Sequence, residues 1–226
     1  MPEDNVRSTW DDWNTRFEGH VDGLYLDVKG YVTGGVGNLL ENIKTGAPVL
    51  RVFNLPWRHR SDDTLAAPDT VRAEWHLVKS RQDLKNASLA RRLAITTLYL
   101  RDADIRALVL QKYDEDHTIL KIQFPELETW PWSAQRALHS MAWARGPYAF
   151  AVEYPRFTAA CLTKNWTVAA AECHINDVGN PGLTPRNAAN KALFEEAIIA
   201  GLKLYAAPAP PPKPTITQRF MNWWRS

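Results

Sequence analysis

The chain contains little cysteine and little net charge, and both shortages exclude classes of function. Its 226 residues include two cysteines, Cys161 and Cys173, and no CxxC pair, which argues against a zinc site built on cysteine. We expect two small buried hydrophobic residues, with a disulfide between them left open. The formal net charge is only +2, without the concentrated basic field of a nucleic-acid binder. We therefore expect no nucleic-acid partner.

Long hydrophobic runs are also absent. No apolar stretch reaches the ~18 residues that a membrane-spanning helix needs, so no span is predicted. The first residues, MPEDNVRSTWDDW, lack a basic segment followed by an apolar run. We therefore expect synthesis in the cytoplasm without a Sec signal.

Metal-binding and nucleophile motifs are missing as well. The six histidines are scattered and form no HExxH or similar spacing, so we expect no metal ion and no cofactor. His20 is expected to be a solvated turn residue. The run Asp114-Glu115-Asp116-His117 raises the question of a cation site, but a charged helix face is the favoured interpretation. No serine or cysteine lies in a nucleophile elbow.

The composition that is present predicts a globular domain with a short tail. Hydrophobic residues make up 45% of the chain, enough for a sizeable core. We assign residues 1–205 to one domain of the α+β class, mostly α, with an insertion at about 45–100. Residues 206–214 read as a proline-rich spacer. Residues 215–226 predict a short helix with one aromatic face and one basic face.

The N-terminal pattern predicts a helix followed by a hairpin. Ser8 or Thr9 can cap the helix, and Gly19 is a natural stop directly after Glu18. Its apolar face is formed by aromatic residues at helical spacing: Trp10, Trp13 and Phe17. Residues 24–26 and 31–33 then predict two short strands, joined by a turn through residues 28–30.

Helices dominate the rest of the prediction. Residues 45–68 read as a long loop, followed by a helix bearing Val71, Trp75 and Val78 and by a second helical piece at about 84–98. Further helices are predicted from Asp102 to about residue 124, from a Ser133 cap to Gly146, near 154–163, near 167–174, and from Pro185 onward.

The informative stretch is EGHVDGLYLDVKGYVTGGVGNLL, residues 18–40. It puts Glu18 at a helix end and Asp27 at a strand end, and the turn folds the strand back beside the helix. Two carboxylates across a groove are what glycoside hydrolysis needs, one protonated and one ionised. Thr33 adds a hydroxyl that can hold a water molecule.

The spacing in this stretch resembles the phage-type lysozymes, the muramidase family of the T-even phages. Eight residues separate Glu18 from Asp27, five separate Asp27 from Thr33, and a Gly-x-Gly follows. Matching positions include Gly19, Tyr25, Gly30, Tyr31, Gly35, Gly37 and Leu39. AQRALHSMAWARG at 134–146 and GLTPRNAANKALF at 182–194 resemble the family's central and last helices. The resemblance covers about residues 8–204.

The resemblance implies a fold, a reaction and a set of site residues. The fold would be lysozyme-like, with a small β-hairpin lobe beside a helical lobe and an extra inserted helical segment. The reaction would be cleavage of the β-1,4 bond between N-acetylmuramic acid and N-acetylglucosamine, with inversion. Glu18 would be the acid, Asp27 the base, and Thr33 would orient the water. The substrate contacts would be Gly35, Leu39 and Trp143, supported by Arg186.

Two residues depart from the family pattern. Asn38 stands where histidine is common, and we expect it to support the fold through a polar pairing. Gly34 replaces an apolar residue, which would loosen the second strand and widen the cleft. The insertion could either cover the groove or form an additional helical layer.

Several alternatives remain open at this point. The chain could be a phage endolysin or an antibacterial effector, reaching the cell wall by phage-type release or by a secretion machine. Its partners would be peptidoglycan glycan strands and an immunity or inhibitor protein, with a membrane surface or another protein contacting residues 215–226. It could instead be a non-catalytic wall-binding or membrane-disrupting protein on the same scaffold. The same chemistry could also act on chitin or chitosan.

Overall fold

The computed structural model describes residues 6–206, which form ten α-helices and five short strands. The helices are α1 (Trp10–Glu18), α2 (Arg51–Asn54), α3 (Pro68–Ser80), α4 (Leu89–Leu93), α5 (Asp102–Gln123), α6 (Trp132–Arg145), α7 (Phe150–Glu153), α8 (Pro155–Leu162), α9 (Trp166–Glu172) and α10 (Leu183–Ala206). The strands are β1 (Val21–Leu26), β2 (Val32–Gly35), β3 (Asn38–Leu39), β4 (Arg58–His59) and β5 (Leu98–Tyr99). The predicted α+β, mostly helical class is confirmed.

The first helix has the predicted apolar face but not the predicted cap. Trp10 is fully buried, and Gly19 ends the helix with a φ of +72°. Thr9 stands at the N-cap position, yet its hydroxyl accepts a hydrogen bond from Arg136 and none from the helix backbone. Thr9 therefore does not cap the helix with its side chain, because it ends a 3-10 turn, Val6–Thr9, that runs directly into α1.

Strands β1, β2 and β3 form an antiparallel sheet in that order. The turn between β1 and β2 is closed by the Asp27 N–H, which donates to the Tyr31 carbonyl at 2.9 Å. Tyr25 lies opposite Thr33, and Thr33 lies opposite Leu39. These three residues therefore form a row across one face of the sheet. The third strand was not predicted, since two residues are too few to show alternation.

The insertion contains less helix than predicted. Helix α3 is confirmed, with Val71, Trp75 and Val78 buried. The single helical piece at 84–98 is wrong, because this region holds a 3-10 turn, the five-residue α4 and strand β5. Strand β5 pairs with β4, and the Glu74 carboxylate accepts its Leu98 N–H. Long-range pairing thus overrides the local pattern.

The insertion forms a layer behind the sheet. Helices α3 and α4 pack on β1, and the Trp75 indole donates to the Leu40 carbonyl at 3.1 Å. A Cβ on Gly34 would lie 3.1 Å from Leu40 Cδ1 and 3.8 Å from the Trp57 ring. Gly34 therefore faces this layer and not the cleft, so the expectation that it widens the cleft is wrong. Of the two alternatives for the insertion, covering the groove or forming an additional layer, the structure shows the layer.

The remaining helices form a second core around α6. The predicted apolar stripe of α6 is fully buried, and Gly146 ends the helix with a φ of +86°. Ser133 does not cap this helix, because Pro131 holds the N-cap position and Ser133 is buried inside it. Helix α10 begins at Leu183, with Pro185 in its first turn as predicted, and packs on α6.

Cys161 and Cys173 are buried free thiols in this second core. Burial raises the pKa of Cys173 to about 11, so its thiol stays protonated near neutral pH. Both residues thus pack as small hydrophobic groups. Among residues 6–206, no helix has the length and apolarity needed to cross a membrane. The predictions for residues 207–226, the spacer and the amphipathic tail, lie outside the described residues.

Candidate functional site

A groove of about 380 Å³ runs between the sheet and the helical core. It is lined by six of the seven predicted site residues: Glu18, Asp27, Thr33, Leu39, Trp143 and Arg186. They come from the end of α1, the β1–β2 hairpin, strand β3, helix α6 and helix α10. Residues far apart in the chain therefore converge on one concave surface.

Glu18 is the last residue of α1, and its side chain is 28% exposed. Its Oε1 accepts a hydrogen bond from Arg186 Nη2 at 2.6 Å. Burial raises the pKa of the carboxyl, and this effect exceeds the opposing charges of Arg186 and Lys112. The second oxygen, Oε2, lies only 2.7 Å from where a Cβ on Gly37 would stand. This contact and the φ of +68° at Gly37 both favour glycine there.

Arg186 is fixed on all sides, with a side chain that is 1% exposed. Nη1 donates to the Ser140 carbonyl and hydroxyl at 3.1 Å each, and Nη2 donates to Asn14 Oδ1 at 3.1 Å. The guanidinium also lies over the Phe17 ring. Asn14 and Ser140 were not predicted from the sequence. Asn14 stands four residues before Glu18, on the same face of α1, and this spacing could have identified it.

Asp27 follows β1 and is held by the backbone of the turn that it begins. Its Oδ1 accepts the N–H groups of Lys29 and Tyr31, both at 2.8 Å. Gly30 completes the turn with a φ of +83°, which favours glycine. The carboxylate therefore has a defined orientation at the edge of the groove, although it is carried by a turn.

The row Tyr25, Thr33 and Leu39 forms the sheet side of the groove. Thr33 is only 4% exposed, and its hydroxyl donates to the Tyr31 carbonyl at 3.3 Å. Burial raises the pKa of Tyr25 to about 12, so its hydroxyl remains a donor near neutral pH. Tyr25 had no predicted role in the site, because assigning it to this face requires the strand register.

Trp143 lines the helical side of the groove, as predicted. Its ring packs 6.0 Å from the Trp10 ring, and Lys112 Nζ lies 4.9 Å from its centroid. Lys112 is itself paired with Asp116 at 2.6 Å. The contacts with Trp10 and Lys112 therefore fix the position of the Trp143 ring. Further lining residues that were not predicted come from turns, loops and the ends of α6 and α10: Val28, Lys29, Ile43, Arg145, Asn180, Gly182 and Leu183.

Gly35 is the one predicted site residue that does not line the groove. A Cβ at Gly35 would meet Asn38, Ile105 and Leu108, so this residue faces helix α5. Its proposed sugar contact is wrong, because the strand turns this position toward the core. Asn38 makes the expected polar pairing, since its Oδ1 accepts the Val36 N–H at 3.2 Å.

In the acidic run on α5, Asp114 and Glu115 lie on a charged helix face, whereas Asp116 is buried beside Lys112. Asp114 pairs with Arg7, and Glu115 pairs with Arg51. In the part of the chain that the structure describes, no group of three His, Cys, Asp or Glu residues could hold a metal ion. His20 is exposed and lies 3.6 Å from Asp102, outside the groove lining.

The arrangement combines a carboxyl with a raised pKa, a second carboxylate held by backbone donors, and a threonine hydroxyl, all in one groove. Such a set can protonate a leaving oxygen and remove a proton from water. No protein-family model matches the chain, and a search of curated proteins finds no match. The chemistry of the groove therefore carries the functional argument.

Proposed function

We propose that this chain is a muramidase, which cleaves the β-1,4 bond between N-acetylmuramic acid and N-acetylglucosamine in peptidoglycan by an inverting acid/base mechanism. One observation carries the proposal: Glu18, whose pKa is raised by burial, shares a groove with Asp27 and Thr33. The resemblance of residues 18–40 to phage-type lysozymes supports the substrate class. A small sheet beside a larger helical core is compatible with a lysozyme-like fold.

Glu18 is the general acid in this proposal. Its raised pKa keeps a protonated fraction at higher pH than an ordinary glutamic acid would, and this form protonates the leaving glycosidic oxygen. Arg186 Nη2 contacts Oε1, so Oε2 is the oxygen that donates the proton. After the transfer, the same guanidinium stabilises the carboxylate that remains.

Asp27 is the general base, and Thr33 holds the attacking water. Backbone N–H groups occupy Asp27 Oδ1, which leaves Oδ2 to accept the proton from water. The Thr33 hydroxyl donates to the Tyr31 carbonyl, so its lone pairs accept a hydrogen bond from that water. Inversion requires room for a water molecule between the sugar and the base, and thus well-separated carboxyl groups.

The walls of the groove suit a glycan strand. Trp143 offers an aromatic surface to the apolar face of a pyranose ring, and Leu39 adds an apolar contact. Tyr25 is 8% exposed, and its hydroxyl supplies a hydrogen-bond donor for sugar hydroxyls from the sheet side of the groove.

A turbidity assay on purified cell walls tests the proposal. Glu18→Gln keeps the size of the side chain but removes the acid, so we expect the rate of lysis to fall by at least ~100-fold. Glu196→Gln on α10 is the matched control, since Glu196 is exposed and outside the groove lining. It should keep the wild-type rate.

The outcomes separate the competing functions. Lysis that survives Glu18→Gln would favour the non-catalytic wall-binding protein. If the protein cleaves chitin oligomers and does not cleave peptidoglycan, the acid/base mechanism stands and the proposed substrate is wrong. Fragments ending in reducing N-acetylmuramic acid would support the proposed bond.

A further inference from the structure

Side chains of the inserted layer bind the backbone of the hairpin that carries Asp27. Lys79 Nζ and Gln82 Nε2 each donate to the Gly30 carbonyl at 3.1 Å. Arg92 Nη1 donates to the Leu26 carbonyl at 2.7 Å. All three donors lie in the insertion, on α3, on the 3-10 turn after it and on α4. None of them lines the groove of the candidate site.

The two carbonyls that accept these hydrogen bonds lie on either side of Asp27 in the chain. Leu26 directly precedes Asp27, and the Gly30 N–H donates to the Asp27 carbonyl at 3.0 Å. The next residue, Tyr31, supplies one of the two N–H groups on Asp27 Oδ1. A movement of either carbonyl would therefore move the carboxylate.

Lys79 is itself anchored. Its Nζ lies 2.6 Å from Glu41 Oε1, and the Glu41 side chain is 1% exposed. Glu41 Oε2 accepts the Val32 N–H at 2.9 Å, so the same carboxylate also holds the start of β2. Removing Lys79 would leave the buried Glu41 carboxylate uncompensated, so this geometry is strongly specified.

Close packing at Gly30 gives a second indication that the layer and the turn fit together. A Cβ on Gly30 would lie 2.2 Å from Gln82 Oε1. Arg92 likewise packs against the hairpin, with its guanidinium 5.3 Å from the Tyr25 ring centroid. The layer therefore contacts both the turn and a side chain of the groove.

We propose that Arg92 and Lys79 are positioning residues, which hold the β1–β2 hairpin so that Asp27 keeps its orientation at the groove. The inference rests on the proposed function, because it gives Asp27 a reacting partner. A turn is usually a mobile place for a reacting group. Displacement of such a group by ~1 Å can cost ~100-fold in rate, so the three side-chain donors of the insertion affect catalysis by restraining the hairpin.

The test combines steady-state kinetics with amide hydrogen exchange on the full-length protein. Arg92→Met keeps the aliphatic stem but removes the donor to Leu26. Arg92→Lys retains a cationic donor. Arg91→Met is the matched control, since Arg91 is the exposed neighbour on the same helix. Lys79→Met tests the second contact. The readouts are kcat and KM on glycan strands and the exchange rate of the Tyr31 amide.

In Arg92→Met and in Lys79→Met we expect kcat to fall about tenfold, with KM within about twofold and faster exchange at Tyr31. Arg92→Lys should recover most of kcat, and Arg91→Met should match wild type. A purely structural role would lower the folded fraction, which also lowers apparent kcat at constant KM, so kcat is expressed per folded molecule from urea unfolding. It would raise amide exchange across the whole core and not at Tyr31 alone.

Failure of the positioning role and failure of the proposed function would give different results. Unchanged kcat and unchanged Tyr31 exchange in both Met variants, beside an inactive Asp27→Asn, would overturn the positioning role alone. Wild-type activity in Asp27→Asn would overturn the proposed function and the positioning role in catalysis with it. Tyr31 exchange would still report whether the layer restrains the hairpin.

Discussion

Arg186 Nη2 lies 2.6 Å from Glu18 Oε1, although the two residues are 168 positions apart in the chain. The guanidinium is nearly fully buried and also contacts Asn14 and Ser140. It opposes the effect of burial on Glu18 without cancelling it, so the pKa of the acid stays raised. The pairing holds the carboxyl in place while leaving it able to carry a proton.

The first prediction concerns Arg186→Met and the pH dependence of kcat. A positive charge beside a carboxyl lowers its pKa, so removing Arg186 should raise the pKa of Glu18 further. Activity requires protonated Glu18 and falls as pH rises through this pKa. The alkaline limb of the kcat profile should therefore move to higher pH, while Arg186→Lys should keep it near its wild-type position. An alkaline limb that moves to lower pH would contradict this coupling.

Thr33→Val tests the role of the water-holding hydroxyl. Valine has nearly the same shape and suits a strand, so we expect kcat to fall about 10- to 100-fold with little change in KM. Thr96→Val is the matched control, because Thr96 is also buried and also donates to a carbonyl, that of Leu93 at 2.9 Å. Equal kcat values for the two variants would remove Thr33 from the mechanism.

Gly37→Ala should impair both stability and activity. The φ of Gly37 is +68°, and an added Cβ would lie 2.7 Å from Glu18 Oε2. We expect a loss of about 1 kcal/mol or more in urea unfolding, together with a lower kcat because the carboxyl is displaced. Gly201→Ala in α10 has no atom within 4 Å of the added Cβ and should not destabilise the protein. Wild-type kcat in Gly37→Ala would contradict the close contact.

The sequence predicts the site best where its geometry is local. Glu18, Asp27 and Thr33 lie within one helix–hairpin unit, and the glycines that end α1 and shape the turn can be identified from the sequence. Their spacing, together with the resemblance that it carries, therefore predicts that these three side chains share one groove. The register that places Tyr25 beside Thr33 is shifted by an irregularity between Val21 and Tyr25, which no pattern reveals.

Long-range contacts explain what the sequence did not predict. Strand β5 forms because it pairs with β4 and because Glu74 accepts its backbone N–H groups, against a local pattern that predicts a helix. The Thr9 hydroxyl accepts a hydrogen bond from Arg136, a contact 127 positions away that the local pattern does not show. The contacts of Lys79 and Arg92 with the hairpin likewise join residues dozens of positions apart, and no periodicity encodes them.

The most direct test of the central claim is the anomeric configuration of the first product, followed by proton NMR during cleavage of soluble glycan strands. An acid and a base acting across the groove through a water molecule predict a new reducing end that appears first as the α-anomer. A product that appears first as the β-anomer, or no new reducing end at all, would contradict the account.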